Sequence, residues 1–282
     1  MTDATVAPSY ALQLVRSALW LIVAFGVVWI LAIGTLYVFQ RQLLYPIPRT
    51  GYVPAAASNL SGAQDVTIVT RDGERISGWY VPARGERPLI VFFHGNAETV
   101  ADDAARLQRM TSRGFGVLAI DYRGYGGSTG EPTEQGLLED ARATFAFAAS
   151  KSNPGNIVVW GYSLGTGPAI ATAGANPIKG LVLEAPYSSL ADVAAERFPL
   201  APVRLLMKDR MPSIDWIGHI KAPLLVIHGG RDSTIPIHFG RRVFEAATAP
   251  KTFRELPDAR HDNLDAYGSM DDALAFIEEL VR

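Results

Sequence analysis

Three side chains far apart in the chain have the types needed for nucleophilic acyl transfer: a serine, a carboxylate and a histidine. Ile157–Ala171 reads IVVWGYSLGTGPAIA, an apolar run that enters Gly161-Tyr162-Ser163-Leu164-Gly165 and then a helical pattern. G-x-S-x-G between strand and helix demands a very tight turn, and the flanking glycines remove β-carbons that would collide there. Ser163, the candidate nucleophile, then sits at a helix amino end, where negative charge is favoured. Leu224–Pro236 reads LLVIHGGRDSTIP, so Asp232 falls just past the carboxyl end of a second apolar run. A carboxylate there can accept the Nδ1 proton of a histidine and fix its tautomer. Glu184, at the end of the preceding run, is the alternative acid. The histidines are His94, His219, His228, His238 and His261, and only His261 follows the last apolar run. Its loop can fold back toward Ser163, which makes it the candidate general base. His228 reads as a packed or hydrogen-bonded strand-end residue, and His219 and His238 as surface or packing residues.

Negative charge developing on a substrate needs donors. The expected pair is the main-chain N–H of Leu164, directly after the serine, and that of Asn96 in the loop closing Leu89–Ala97 (LIVFFHGNA). His94 belongs to that loop and is expected to have a structural part. Tyr122-Arg123-Gly124-Tyr125-Gly126 is glycine-rich but lacks the spacing and Lys-Ser/Thr of a phosphate loop. With no dinucleotide fingerprint and no H-E-x-x-H, no cofactor and no catalytic metal are expected.

The elements that must position these residues follow from hydrophobic pattern. Leu89–Phe93, Gly116–Ile120, Ile157–Trp160, Leu181–Leu183 and Leu224–Ile227 are continuous apolar runs, suited to strands covered on both faces. Val66–Thr70 and Ile76–Val81 flank the turn sequence Arg71-Asp72-Gly73 and predict an edge hairpin; Phe253–Leu256 is a weaker final strand. Helical patterns at Thr99–Arg113, Thr133–Ser150, Gly165–Ala175 and Asp271–Val281 alternate with the runs. The sum is an α/β chain with a doubly wound, mostly parallel eight-stranded sheet.

Ahead of this lies Ala18–Phe39, without a charged residue and long enough for the ~30 Å hydrocarbon core of a bilayer. Arg16 and Arg41 bracket it, with Trp20, Tyr37 and Tyr45 near its ends. It predicts one transmembrane helix; the run exceeds a usual signal-peptide core, and no clear cleavage pattern follows. Arg16 on one flank against Arg41 and Arg49 on the other leaves the orientation open. The expected organisation is a tail over 1–17, an anchor over 18–39, a tether over 40–62 and a catalytic domain over 63–282. The 282 residues are 48% apolar and 19% charged, with net charge −2 and no cysteine. This fits one large domain and excludes disulfides and thiolate chemistry, and nothing suggests a nucleic-acid partner.

These residues together resemble the α/β-hydrolase superfamily, and most of all its membrane-anchored Bem46-like and α/β-hydrolase-domain-containing branch, with a serine aminopeptidase-like domain. The matching stretches are HGNA (His94–Ala97), DYRGYGGSTGEPTEQGLLEDA (Asp121–Ala141), GYSLGTGPA (Gly161–Ala169), HGGRDSTIP (His228–Pro236) and Ala259-Arg260-His261. The family commonly has glycine before its final histidine; here Arg260 stands there. The resemblance implies a membrane-bound serine hydrolase acting on esters or thioesters of acyl or lipid-like substrates. A serine peptidase on the same fold and a non-catalytic membrane scaffold are the alternatives. Insertions such as Pro186–Ile220 often cover the site in this fold, and this one mixes apolar residues with Arg197, Arg204, Lys208 and Arg210. Acyl group, leaving group and oligomeric state stay open.

Overall fold

The apolar runs become the middle of an eight-stranded sheet in the order β1-β2-β4-β3-β5-β6-β7-β8. The strands are β1 Gln64–Val69, β2 Arg75–Val81, β3 Leu89–Phe93, β4 Gly116–Ile120, β5 Ile157–Tyr162, β6 Gly180–Glu184, β7 Leu224–Gly229 and β8 Lys251–Leu256. The computed structural model describes residues 7–48 and 50–282. β1 and β2 form the expected hairpin, with Gly73 at φ 90° and the Thr70 amide donating to Glu74 O at 2.9 Å. β2 pairs antiparallel with β4, and from β4 to β8 all pairing is parallel.

The helices are α1 Ala7–Leu44, α2 Ala104–Ser112, α3 Glu134–Lys151, α4 Thr166–Ala175, α5 Leu190–Arg197, α6 Val203–Leu206, α7 Ser213–Trp216, α8 Ile237–Ala246 and α9 Ser269–Glu279. Leu107 and Met110 of α2 and Leu274 and Ile277 of α9 share one buried cluster with Phe92, Val117, Trp160 and Ile227. α3 packs on β3 and β4, α4 on β3 and β5, and α8 on β7. Every residue of β3, β4, β5, β6 and β7 is buried, so the strands have no polar alternation to show. From β3 the chain passes to β4 on one side and later to β5 on the other. The carboxyl ends of β3 and β5 therefore flank a topological switch point, where open α/β sheets place their ligands.

Residues 45–282 make one compact unit, and α1 is a unit by itself. α1 extends the expected anchor at both ends, past Arg16 and through Arg41. Within it the Thr35 hydroxyl donates to Leu31 O at 2.9 Å, so that polar group is satisfied inside its own helix. Residues 1–6 of the expected tail, and Arg49, lie outside the described residues. The stretch expected to be a tether is held down from Tyr45 onward. Tyr45, Ala55 and Leu60 are buried, Ala55 N–H donates to Asp65 Oδ1 at 2.6 Å, and Trp79 Nε1 donates to Val53 O at 3.1 Å. Its Pro and Ala content reads as loose chain, whereas the apolar side chains between them dock on the core.

Candidate active site

The strand-to-helix turn after β5 places Ser163 at φ 49°, in the left-handed region that non-glycine residues avoid. A Cβ on Gly161 would lie 2.5 Å from Gly165 O, and one on Gly165 would lie 2.1 Å from Phe93 O at the end of β3. Both positions therefore need glycine, because the turn is pressed against the neighbouring strand. Thr166 Oγ1 donates to Ser163 O at 2.7 Å and the Tyr187 hydroxyl donates to Leu164 O at 3.0 Å, which fixes the two peptides after the serine.

Three sequence-predicted residues meet here. Ser163 Oγ lies 2.8 Å from His261 Nε2, and His261 Nδ1 lies 2.7 Å from Asp232 Oδ2. A carboxylate only accepts, so Nδ1 carries the proton and Nε2 presents a lone pair to the hydroxyl. Asp232 Oδ1 accepts the amides of Thr234 at 2.9 Å and Ile235 at 2.8 Å. Burial pushes the Asp232 carboxyl up, but hydrogen bonding with His228 and His261, the charge on His261 and the Ile235 amide outweigh it. The group is held well below the usual carboxylate range. An acid that stays ionised beside Nδ1 supports the imidazolium that forms when Nε2 takes a proton.

The base loop reaches Ser163 from β8. Ala259 is buried, and its carbonyl stands where a Cβ on Gly229 would come within 2.5 Å. Arg260, in place of the family's glycine, is not among the described non-glycine residues at positive φ. Its amide donates to Asn263 Oδ1 at 2.7 Å, so the loop closes without a left-handed residue there. The Tyr162 hydroxyl donates to His261 O at 2.8 Å, and its ring stacks on the imidazole at 5.7 Å between centroids.

The loop after β3, the expected oxyanion loop, is organised peptide by peptide. The Tyr122 hydroxyl donates to His94 O at 2.9 Å, and the Gly95 amide donates to Glu98 Oε2 at 2.9 Å. His94 Nδ1 lies 2.7 Å from Gly95 O and must donate to it. In a trans peptide C=O and N–H point opposite ways, so this bond aims the Asn96 N–H outward from the packed side. The Ser163–Leu164 peptide is arranged alike, its carbonyl anchored by Thr166. Both expected oxyanion donors thus belong to peptides whose carbonyl a side chain holds. Asn96 Oδ1 accepts the Tyr125 hydroxyl at 2.9 Å, and Ala97 takes φ 61°.

The other candidates are placed elsewhere. His94 is fully buried, and burial lowers its pKa to about 4, so it stays neutral and structural. His228 Nε2 donates to Ile235 O at 2.8 Å and lies 3.5 Å from Asp232 Oδ2, beside the acid rather than the serine. His238 pairs with Glu196 at 2.9 Å, and His219 is exposed. Glu184 accepts from Trp160 Nε1 at 2.9 Å and binds Arg106, so the alternative acid is committed to a buried ion pair. Arg106 also reaches Asp265 at 3.0 Å and lies over the Tyr162 ring at 5.3 Å. Arg106 and Tyr187 support the site without any sequence signal of their own, whereas Tyr162, Thr166 and His228 lie in the quoted motif stretches and His228 is hydrogen-bonded at its strand end as expected. Among the described residues, no group of three or more His, Asp or Glu is arranged to hold a metal ion.

The profile described as serine aminopeptidase, S33, matches residues 85–215. An uncharacterized protein of Mycobacterium tuberculosis is 39% identical over 247 residues, covering 85% of this chain and 88% of its own. Lysophosphatidylserine lipase ABHD12 of Rattus norvegicus is 30% identical over 204 residues, and the match spans 63% of this chain but half of that protein. Among solved structures, an esterase from Pyrococcus furiosus superposes with TM-score 0.66 at 21% identity over 84% of this chain and 98% of its own. An acetyl xylan esterase from Paenibacillus sp. R4 gives 0.66 at 23% identity, over 78% and 85%. The chain belongs to the α/β-hydrolase superfamily, in the branch of the α/β-hydrolase-domain-containing proteins, and is a hydrolase.

Proposed function

We propose that the chain is a membrane-anchored serine hydrolase that cleaves carboxylic ester or thioester bonds of acyl substrates through an acyl-enzyme. The observation that carries this reading is the unbroken relay from hydroxyl to imidazole to carboxylate, at 2.8 and 2.7 Å. Ser163 attacks the carbonyl carbon while Nε2 of His261 takes its proton, and Asp232 stabilises the imidazolium. The amides of Leu164 and Asn96 receive the oxyanion; losing one such donor costs about 3–4 kcal/mol in comparable sites. His261 then returns the proton to the leaving group, and water activated by the same nitrogen releases the acid. The lipase and esterase relatives support ester chemistry, and α1, long and apolar enough to cross a membrane, supports anchoring. In this reading residues 63–282 carry the catalysis, with 45–62 folded onto them.

The S33 profile favours a second reading, hydrolysis of aminoacyl amides on the same relay. A panel of acyl esters, acyl thioesters and aminoacyl amides separates the two. Ester or thioester turnover that disappears in a folded Ser163→Ala variant is the expected result. Turnover confined to aminoacyl amides would replace the proposal with the second reading.

A further inference from the structure

The insertion between β6 and β7 carries a feature that neither the relay nor the fold requires. Residues 197–208 read RFPLAPVRLLMK, with three cations and no acid in a chain whose net charge is −2. Phe198 is 48% exposed, Leu200 80% and Leu205 76%. Large apolar side chains crowded on one short loop are a liability in water unless something covers them.

The loop has not simply failed to fold inward, because its base is fastened. Leu190 N–H donates to Arg210 O at 2.9 Å, Ile214 N–H donates to Ser188 O at 2.8 Å, and Glu196 on α5 pairs with His238 on α8 at 2.9 Å. Arg204 Nε donates to Asp192 at 2.9 Å. The insertion starts beside the elbow, where the Tyr187 hydroxyl holds Leu164 O. The base is thus fastened next to the elbow, while the apolar tip residues Phe198, Leu200 and Leu205 stand exposed.

We infer that this tip is a second membrane contact, seating Phe198, Leu200 and Leu205 in the interface of an anionic bilayer while Arg197 and Lys208 meet its headgroups. The complementarity is specific to that partner: an anionic leaflet offers negative charge at its surface and hydrocarbon just beneath it. Where the proposed hydrolase reading holds, the contact lets acyl substrates pass from the membrane to the site without crossing water. Only this consequence rests on that reading.

The absence of cysteine allows a direct test. The full chain with Leu200→Cys, carrying an environment-sensitive fluorophore, is placed in phosphatidylcholine vesicles with or without phosphatidylserine. A label at Val69→Cys, on the edge strand β1, is the control. The expected result is a blue-shifted emission, quenched by nitroxide lipids, at position 200 and not at 69. Arg197→Glu and Lys208→Glu each lower the preference for anionic vesicles about fivefold. A fluorophore at 200 that stays in water, or one that changes with protein density rather than lipid, overturns the inference, the latter in favour of contact between copies. In the kinetic arm, Leu200→Asp/Leu205→Asp lowers the ratio of vesicle-embedded to water-soluble ester turnover about tenfold. An unchanged ratio contradicts substrate delivery, whereas no turnover of either ester in the wild type contradicts the hydrolase reading instead.

Discussion

Two loops flank Ser163, each with a histidine and a carboxylate, and they are built differently. The loop after β3 is held by bonds between largely neutral groups: His94 to Gly95 O, Tyr122 to His94 O, Tyr125 to Asn96. The loop after β8 is held by charged groups: Asp232 to His261, Arg106 to Asp265, and Arg231 to Asp258 at 2.7 Å. In the proposed reaction the first has to present fixed dipoles to a developing oxyanion and change no charge of its own. The second has to accept a proton and return it, so countercharge around it is useful. Histidine identity is therefore set by what faces each ring nitrogen, not by a carboxylate nearby, since His94 Nε2 also lies 3.9 Å from Asp121.

The comparison breaks most sharply at the proposed base. His261→Ala should lower kcat by about four orders of magnitude, while His228→Ala, beside the same acid, should cost far less. Steady-state kinetics on a soluble ester checks both, and equal losses would erase the distinction between the two histidines.

Arg106 is next. Its removal leaves Glu184, which has no exposed surface, as an unpaired buried carboxylate. Arg106→Leu should lose about 3–5 kcal/mol of stability by denaturant unfolding, and adding Glu184→Leu should recover most of it. No recovery would mean that the arginine matters mainly for the base loop through Asp265 and Tyr162.

The neutral loop gives a smaller effect on rate. His94→Ala frees the Gly95 carbonyl, and kcat should fall about ten- to a hundredfold with KM nearly unchanged, as for loss of a partly oriented donor. A change in KM alone would show that the loop binds substrate rather than its oxyanion.

The smallest effect is on pH dependence. Burial lowers His94 to about 4 from 6.5, so the unfolded state binds more protons between these values and stability is lost as pH falls through them. Burial raises Asp121 to about 6 from 3.8, so there the folded state binds more protons and stability is lost as pH rises. The two slopes oppose each other between about pH 4 and 6. Asp121→Asn removes one of them, and on going from pH 7 to 4.5 it should lose about 2 kcal/mol more than the wild type in urea unfolding. A loss no larger than the wild type's would contradict the raised Asp121 carboxyl.

How much of this could be read from sequence depended on whether the signal was local. The elbow, the buried strands and the order of Ser163, Asp232 and His261 were legible because glycine spacing and continuous apolar runs are local consequences of tight turns and two-sided burial. α8 was not, because Ile237, Phe239 and Val243 give it a short apolar stripe and Gly240 weakens its helical signal. That glycine is explained only in three dimensions, where a Cβ would lie 2.2 Å from His228 Nδ1. The docking of 45–62, the pairing of Arg106 with Glu184 and the hold of Tyr162 on the base loop depend on distant partners, which periodicity cannot reveal.

Covalent trapping shows whether Ser163 is the nucleophile. The folded full chain is treated with a fluorophosphonate, and the adduct is located by intact mass and peptide mapping. One adduct is expected, on Ser163, absent in Ser163→Ala and formed far more slowly in His261→Ala. A folded wild type that takes no adduct, or takes it on another residue, would contradict that role for Ser163.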